Sequence, residues 1–258
     1  MKKKSSFWSK IPSNVWVLIS VGVAILLWIT ASRLWPMVFA TPTKVFAAFM
    51  DKASNGSLWG HVWASLSRVL TGFGIAFFVA IPVAFLMAWY EPFCNIVEPW
   101  IQFIRNIPPL AYVPLVVLAA GVGAKAQIVV ICIATFLTIT VTVFQGVINV
   151  DETLIKAARV LGANDTVLFV KVIFPATTPF IITAVRLGIS VALTTLIAAE
   201  STGAVAGLGM RIKALSQVFE NAEMMFYIIV VGVIGMLAEK ILKFFERRLT
   251  SWQEKREI

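Results

Sequence analysis

The chain is poor in charge. Only 14% of its 258 residues are Asp, Glu, Lys or Arg, against about 25% in an average soluble domain. Hydrophobic residues make up 59%, and the mean hydropathy is +0.89. One water-soluble core of this size cannot hide that much apolar surface, which argues against a soluble globular enzyme. Histidine is scarcer still. The single His61 cannot build a histidine-based metal cluster. No Ser/His/Asp or Cys/His arrangement surrounds it. The two cysteines, Cys94 and Cys132, make no disulfide framework, and Cys132 lies inside an apolar run. Gly (15) and Pro (11) are near average and follow no period, which excludes collagen-like and low-complexity chains. A G-x-x-x-x-G-K-[ST] phosphate loop is also missing, so any ATP hydrolysis must come from another chain. Neither catalytic residues nor metal ligands are expected, and no cofactor bound by this chain.

What the chain has is long uncharged runs. A membrane-spanning helix needs about 20 mainly apolar residues. Such runs occupy 11–32, 69–90, 106–124 and 126–150. A fifth covers 172–199 and is interrupted only by Arg186. A sixth, 224–238, is short but continues through Ile241, Leu242, Phe244 and Phe245, with Lys240 and Lys243 able to snorkel. The reading is an all-α polytopic membrane protein with about six transmembrane helices. The first run is longer than a signal-peptide core and lacks a prompt cleavage site, so it reads as an uncleaved span.

The charge excess gives orientation. There are 22 Lys and Arg against 13 Asp and Glu, a net charge of +9. In a soluble chain this would suggest nucleic acid. Here, with both termini cytoplasmic, fourteen of the basic residues fall inside and seven outside. That bias follows the positive-inside rule. Nucleic acid is not an expected partner; membrane lipid is.

The external segment 35–65 is expected to be a loop with a short helix near 44–52, opened by Thr41-Pro42. The internal segment 91–109 ends in Arg105-Asn106-Ile107-Pro108-Pro109, which forces a break before the third span. Pro82 predicts a kink in the second.

The longest internal interlude is 151–175. Asp151 is a good N-cap, and Glu152 suits the positive end of a helix dipole. Gly162 is a natural terminator, so the first helix runs over about 152–161. Leu154, Ala157, Ala158 and Leu161 share one face of it. Asn164 or Asp165 caps a second helix, which ends before Pro175. This is either a surface loop packed on its own bundle or a docking element for a partner.

These residues resemble the EAA loop of type I ABC importer permeases. There, Glu-Ala-Ala is followed by Gly after three residues and by Ile-x-Leu-Pro after nine more. Here Lys156-Ala157-Ala158 fills the triplet, Gly162 follows after three intervening residues, and Val172-Ile173-Phe174-Pro175 after nine more. Lys156 reverses the family's charge, which puts any contact made by that glutamate in doubt; Glu152, one turn earlier, is a candidate substitute. Further matches run in order: Ser65-Leu66-Ser67-Arg68, Arg105-Asn106-Ile107-Pro108-Pro109, Gly121-Val122-Gly123, Ala199-Glu200, Gly207-Leu208-Gly209, and Glu246-Arg247-Arg248-Leu249 with Trp252. Together they resemble the nitrate/sulfonate/taurine branch over about residues 60–252.

The resemblance implies a MetI-like permease bundle in the bacterial cytoplasmic membrane. It implies a permease domain over 61–246, preceded by a tail, first span and external loop (1–60) and followed by a cytoplasmic tail (247–258). Implied partners are a second permease copy, in a homodimer, a cytoplasmic ABC ATPase carrying ATP and Mg, and an extracytoplasmic substrate-binding protein. Coupling to the ATPase falls to Asp151, Glu152, Lys156, Ala157, Ala158, Arg159, Gly162 and Pro175. The branch imports small anions of the sulfonate, taurine and nitrate class, but also small heteroaromatics such as pyrimidine or vitamin precursors. A self-sufficient secondary transporter is the other reading, and the few ionisable groups within the spans argue against it.

Five more residues are candidates for the pathway or gate. Arg186, a charge within a span, either binds an anion or sits near the cytoplasmic interface. Glu200 ends the fifth span, as a gate carboxylate or as a cap for the next segment. Gly207 and Gly209 fit a Gly-rich outer hairpin; Ile212 stands where a dinucleotide fingerprint needs glycine. Arg211, with Lys213, either attracts an anion or is a solvated rim charge.

Overall fold

The computed structural model describes residues 13–249, and every regular element among them is helical. The helices are α1 (Ser13–Leu34), α2 (Pro42–Ser54), α3 (Ser57–Trp89), α4 (Glu91–Arg105), α5 (Pro109–Ala120), α6 (Ala124–Ile148), α7 (Glu152–Val160), α8 (Asp165–Leu168), α9 (Phe174–Glu200), α10 (Leu208–Gln217) and α11 (Asn221–Leu249). Five stretches are long and apolar enough to cross a membrane: α1, α3, α6, α8 running on into α9, and α11. A further apolar pair, α4 and α5, is bent by 104° where Pro108 and Pro109 interrupt the chain, and counts as a sixth crossing if the two are taken as one broken span. The expected tails at 1–12 and 250–258, with Trp252, lie outside the described residues.

Two expectations need correction, and one segment whose structure the sequence left open is a helix. The segment 35–65 is not a loop. It holds α2, opened by Thr41 and Pro42, and the first turns of α3. Uncharged runs mark what a bilayer can bury, whereas α3 continues past that limit through Arg68. The segment before the Pro108-Pro109 break is a helix too. α4 buries Cys94 and Ile101, leaves Ile96, Trp100 and Phe103 exposed on a second apolar stripe, and carries Glu91 and Arg105 on exposed positions. Such a three-sided pattern suits a helix lying along a membrane surface. Finally, the second helix of 151–175 does not end before Pro175. α8 passes through a π turn, Phe169–Ile173, directly into α9. Pro175 lacks an N–H, and its ring would meet the carbonyl one α-turn back. The wider π turn just ahead of it lets the helix continue.

Helices α3, α6 and α9 pack together along their lengths. Their contacts use small residues, among them Ala76, Ala80, Ala134, Ala184 and Ala192, all buried. Between helices in lipid, close backbone approach rather than hydrophobic exclusion drives association. A Cβ on Gly146 of α6 would lie 2.4 Å from that of Phe180 on α9. By contrast, the spanning part of α1 is only 6% buried within this chain. α11 joins the bundle through Phe226 and Tyr227, which cluster with Val45, Leu58, Leu208 and Leu215.

Candidate functional site

The candidate residues gather at two ends of the bundle, one carrying α7 and the other α10. At the α7 end, the Asp151 side chain accepts the Thr153 amide at 2.7 Å and so caps α7. That hydrogen bond holds the Asp151 carboxyl below the usual carboxylate range. Glu152 and Lys156 form an exposed i,i+4 pair at 2.7 Å. The reversed charge at 156 is thereby neutralised within the helix, and Glu152 is engaged there. Arg159 pairs with Asp165 and donates to the Ala163 carbonyl at 3.2 Å. It ties α7 to α8 across Gly162, whose φ of +84° reverses the chain. Pro175 lies in the first turn of α9.

No residue of α7 is buried. Ile155 and Ala158 lean on the bundle core. Leu154, Ala157, Val160 and Leu161 face away, with Val160 87% and Leu161 86% exposed. α7 is thus a capped, ion-paired helix with an exposed apolar stripe.

At the α10 end the central group is Glu200, which is fully buried. Ser65 of α3 donates to its two carboxylate oxygens at 2.8 and 2.9 Å. Arg68, one turn on, donates to Oε1 at 2.6 Å and to the Ala206 carbonyl at 2.6 Å. The Gly209 amide, in the first turn of α10, donates to Oε2 at 2.8 Å. The Leu208 amide donates to the Ser65 hydroxyl at 2.8 Å, and the Gly207 amide to His61 Nδ1 at 3.1 Å. The hairpin between α9 and α10 is therefore held by its backbone against α3. A Cβ on Gly207 would sit 2.3 Å from Glu200 Oε1, and φ there is +141°. Only glycine fits that conformation and that space. A Cβ on Gly209 would come within 2.8 Å of the Ile197 carbonyl.

Arg211 is not a free rim charge. It pairs with Glu223 and lies 5.7 Å from the Tyr227 ring centroid. Lys52 of α2 reaches Glu223 at 3.6 Å and Asp51 at 3.1 Å. Asp51 and then Glu223 hold the Lys52 ammonium above its usual value. Arg186, midway along α9, pairs with Glu246 near the end of α11, each side chain about a third exposed at 35% and 34%.

Sequence reasoning missed the partners of Glu200. Arg68 counted there as a loop charge and His61 as an isolated loop residue. The available signal was their spacing. His61, Ser65 and Arg68 recur at i, i+4 and i+7, a polar stripe along one face of a mainly apolar helix.

Residues 80–251 match the family of binding-protein-dependent transport system inner membrane components. The chain belongs to that family. A probable ABC transporter permease protein of Brucella abortus (strain 2308) is 41% identical over 92% of this chain and 95% of its own. The taurine transport system permease protein of Escherichia coli (strain K12) is 32% identical over 93% of this chain and 92% of its own. Among solved structures, inward-facing conformations of the MetNI methionine ABC transporter match with a TM-score of 0.67. That match covers 74% of this chain and 95% of the other at 20% identity, a likeness of fold. The chain is thus a multi-pass ABC importer permease with the MetI-like fold, and the two ends described above belong to that permease.

Proposed function

We propose that this permease forms an ATP-driven importer with a second copy of itself, a cytoplasmic ATPase docked on α7 and an extracytoplasmic binding protein. Both termini and α7 then lie on the cytoplasmic side, and α10 on the outer side. The observation that carries this reading is the free apolar stripe of α7, rigidified by the Asp151 cap and the Arg159–Asp165 pair. It supports a rigid lever that a partner covers. Motion of the ATPase pair reaches α9 through α8 and the π turn, with no loop between. The hairpin carrying Gly207 and Gly209, fixed by Glu200, closes the outer end of the pathway. Arg211 fastens α10 to α11 beside it.

The cargo in this reading is a small anion of the sulfonate, taurine or nitrate class. The taurine permease supports it by its name and likeness, and Arg186 by lying within a span.

The test is assembly with the cognate ATPase. Ala157→Trp and Leu161→Asp change the exposed stripe without touching the bundle. Each is expected to weaken co-purification of the ATPase about tenfold or more and to stop ATP-dependent uptake into proteoliposomes. Full assembly and uptake in both variants would refute docking through α7.

A further inference from the structure

A cavity of about 650 Å³ opens between the outer half of α9 and the second half of α11. Arg186, Ser190 and Thr194 line it from α9, at i, i+4 and i+8 on one helical face. Leu193, Val231 and Leu242 supply apolar wall. The cavity thus has one guanidinium, two hydroxyls, the Glu239 carboxylate and a greasy lining.

The guanidinium is only partly used. One terminal nitrogen donates to Glu246. Its Nε is buried and has no hydrogen-bond partner among the described residues. Buried polar donors are normally satisfied, so the site is short of an acceptor. Arginine pairs best with a planar or multi-oxygen anion that meets two of its N–H groups at once. The Glu246 side chain is about a third exposed, so its carboxylate already meets water beside Arg186. Glu239, also on the cavity wall, pairs with Lys243 at 2.7 Å and in addition lies within the field of the Arg186 charge.

We infer that this cavity is a subsite for an organic oxyanion, a sulfonate or carboxylate on a short apolar body, which displaces Glu246 from Arg186 as it passes. The inference rests on the anion-import reading and sharpens it. Arg186 recognises the oxyanion head, the apolar wall takes the body, and Glu246 keeps the arginine neutralised when the site holds no cargo. A bare inorganic anion would use only the head.

The experiment uses the permease with its ATPase in nanodiscs, without binding protein, and measures pentanesulfonate binding by calorimetry. Arg186→Gln is expected to weaken binding about tenfold or more, and Arg186→Lys less. Glu246→Gln removes the competitor and is expected to tighten it about threefold. Ser190→Leu fills the cavity with Arg186 intact, and is expected to weaken pentanesulfonate more than methanesulfonate. The last two variants keep the arginine, so misfolding cannot imitate their pattern. Unchanged binding in Arg186→Gln, or weaker binding in Glu246→Gln, overturns the subsite. So does retention of anionic phospholipid by the wild type but not by Arg186→Gln, with no sulfonate bound. Uptake through the complete importer separates the two readings. Sulfonate uptake with the same KM in wild type and Arg186→Gln defeats the subsite alone. Uptake of neutral heteroaromatics but no anion by the wild type defeats the anion reading itself.

Discussion

Helix α9 carries a glutamate pairing at its end and an arginine pairing at its middle, and the two differ in what surrounds them. Glu200 has no exposure, and its two oxygens accept four hydrogen bonds, two from Ser65 and one each from Arg68 and the Gly209 amide. Arg186 and Glu246 are each about a third open. Burial makes the first pair obligatory, because removing either partner strands a charge away from water. Exposure makes the second replaceable. The strongest way to break this comparison is to delete each glutamate. Glu200→Ala is expected to destabilise the fold by about 3–5 kcal/mol and Glu246→Ala by about 1 kcal/mol or less. The apparent Tm of the purified permease should fall by about 10 °C in the first case and about 3 °C in the second. Equal shifts would mean that the lock at the α10 end is no lock.

Two glycines sharpen the contrast. Gly207 and Gly162 both have positive φ, at +141° and +84°. A Cβ at Gly207 would collide with the Glu200 carboxylate, whereas one at Gly162 meets nothing within 4 Å. Gly207→Ala therefore adds a steric clash to backbone strain, about 3 kcal/mol together. Gly162→Ala bears the strain alone, about 1–2 kcal/mol. Uptake into proteoliposomes is expected to be lost in Gly207→Ala while the ATPase still co-purifies. Gly162→Ala should keep both, at reduced levels.

How much of this could be read from the residues depends on range. The crossings were legible, because a bilayer demands a run of uncharged residues and the chain supplies them. The Asp151 cap, the turn at Gly162 and the break at Pro108-Pro109 were legible because each is a local rule of backbone chemistry. The ends of α3 were not, since a paired charge such as Arg68 interrupts a run without ending the helix. The lock itself was out of reach. Ser65 and Arg68 lie 135 and 132 positions from Glu200, and periodicity tells which face a residue is on, not which helix faces it. The continuity of α8 into α9 was hidden for another reason. Pro175, coming after the polar interlude, reads as the stop between two helices, and nothing local announces the π turn that carries the chain through it.

The smallest expected effect compares two carboxylates that cap helices. Glu200 serves α10 from a buried position, and Asp151 serves α7 from water. Only the second can titrate freely with the solvent. Its folded carboxyl is held below the ordinary value of 3.8 by the Thr153 amide. The cap's stabilisation is therefore fully present above that value and fades as the pH falls through the lower, folded one. In selectively labelled permease, the Thr153 amide shift should titrate with a midpoint below 3.8. Asp151→Asn should keep α7 folded, since asparagine also caps, and abolish the titration. A midpoint at or above the ordinary value would mean that the carboxylate does not hold the amide, and that α7 owes its rigidity to the Arg159–Asp165 pair alone.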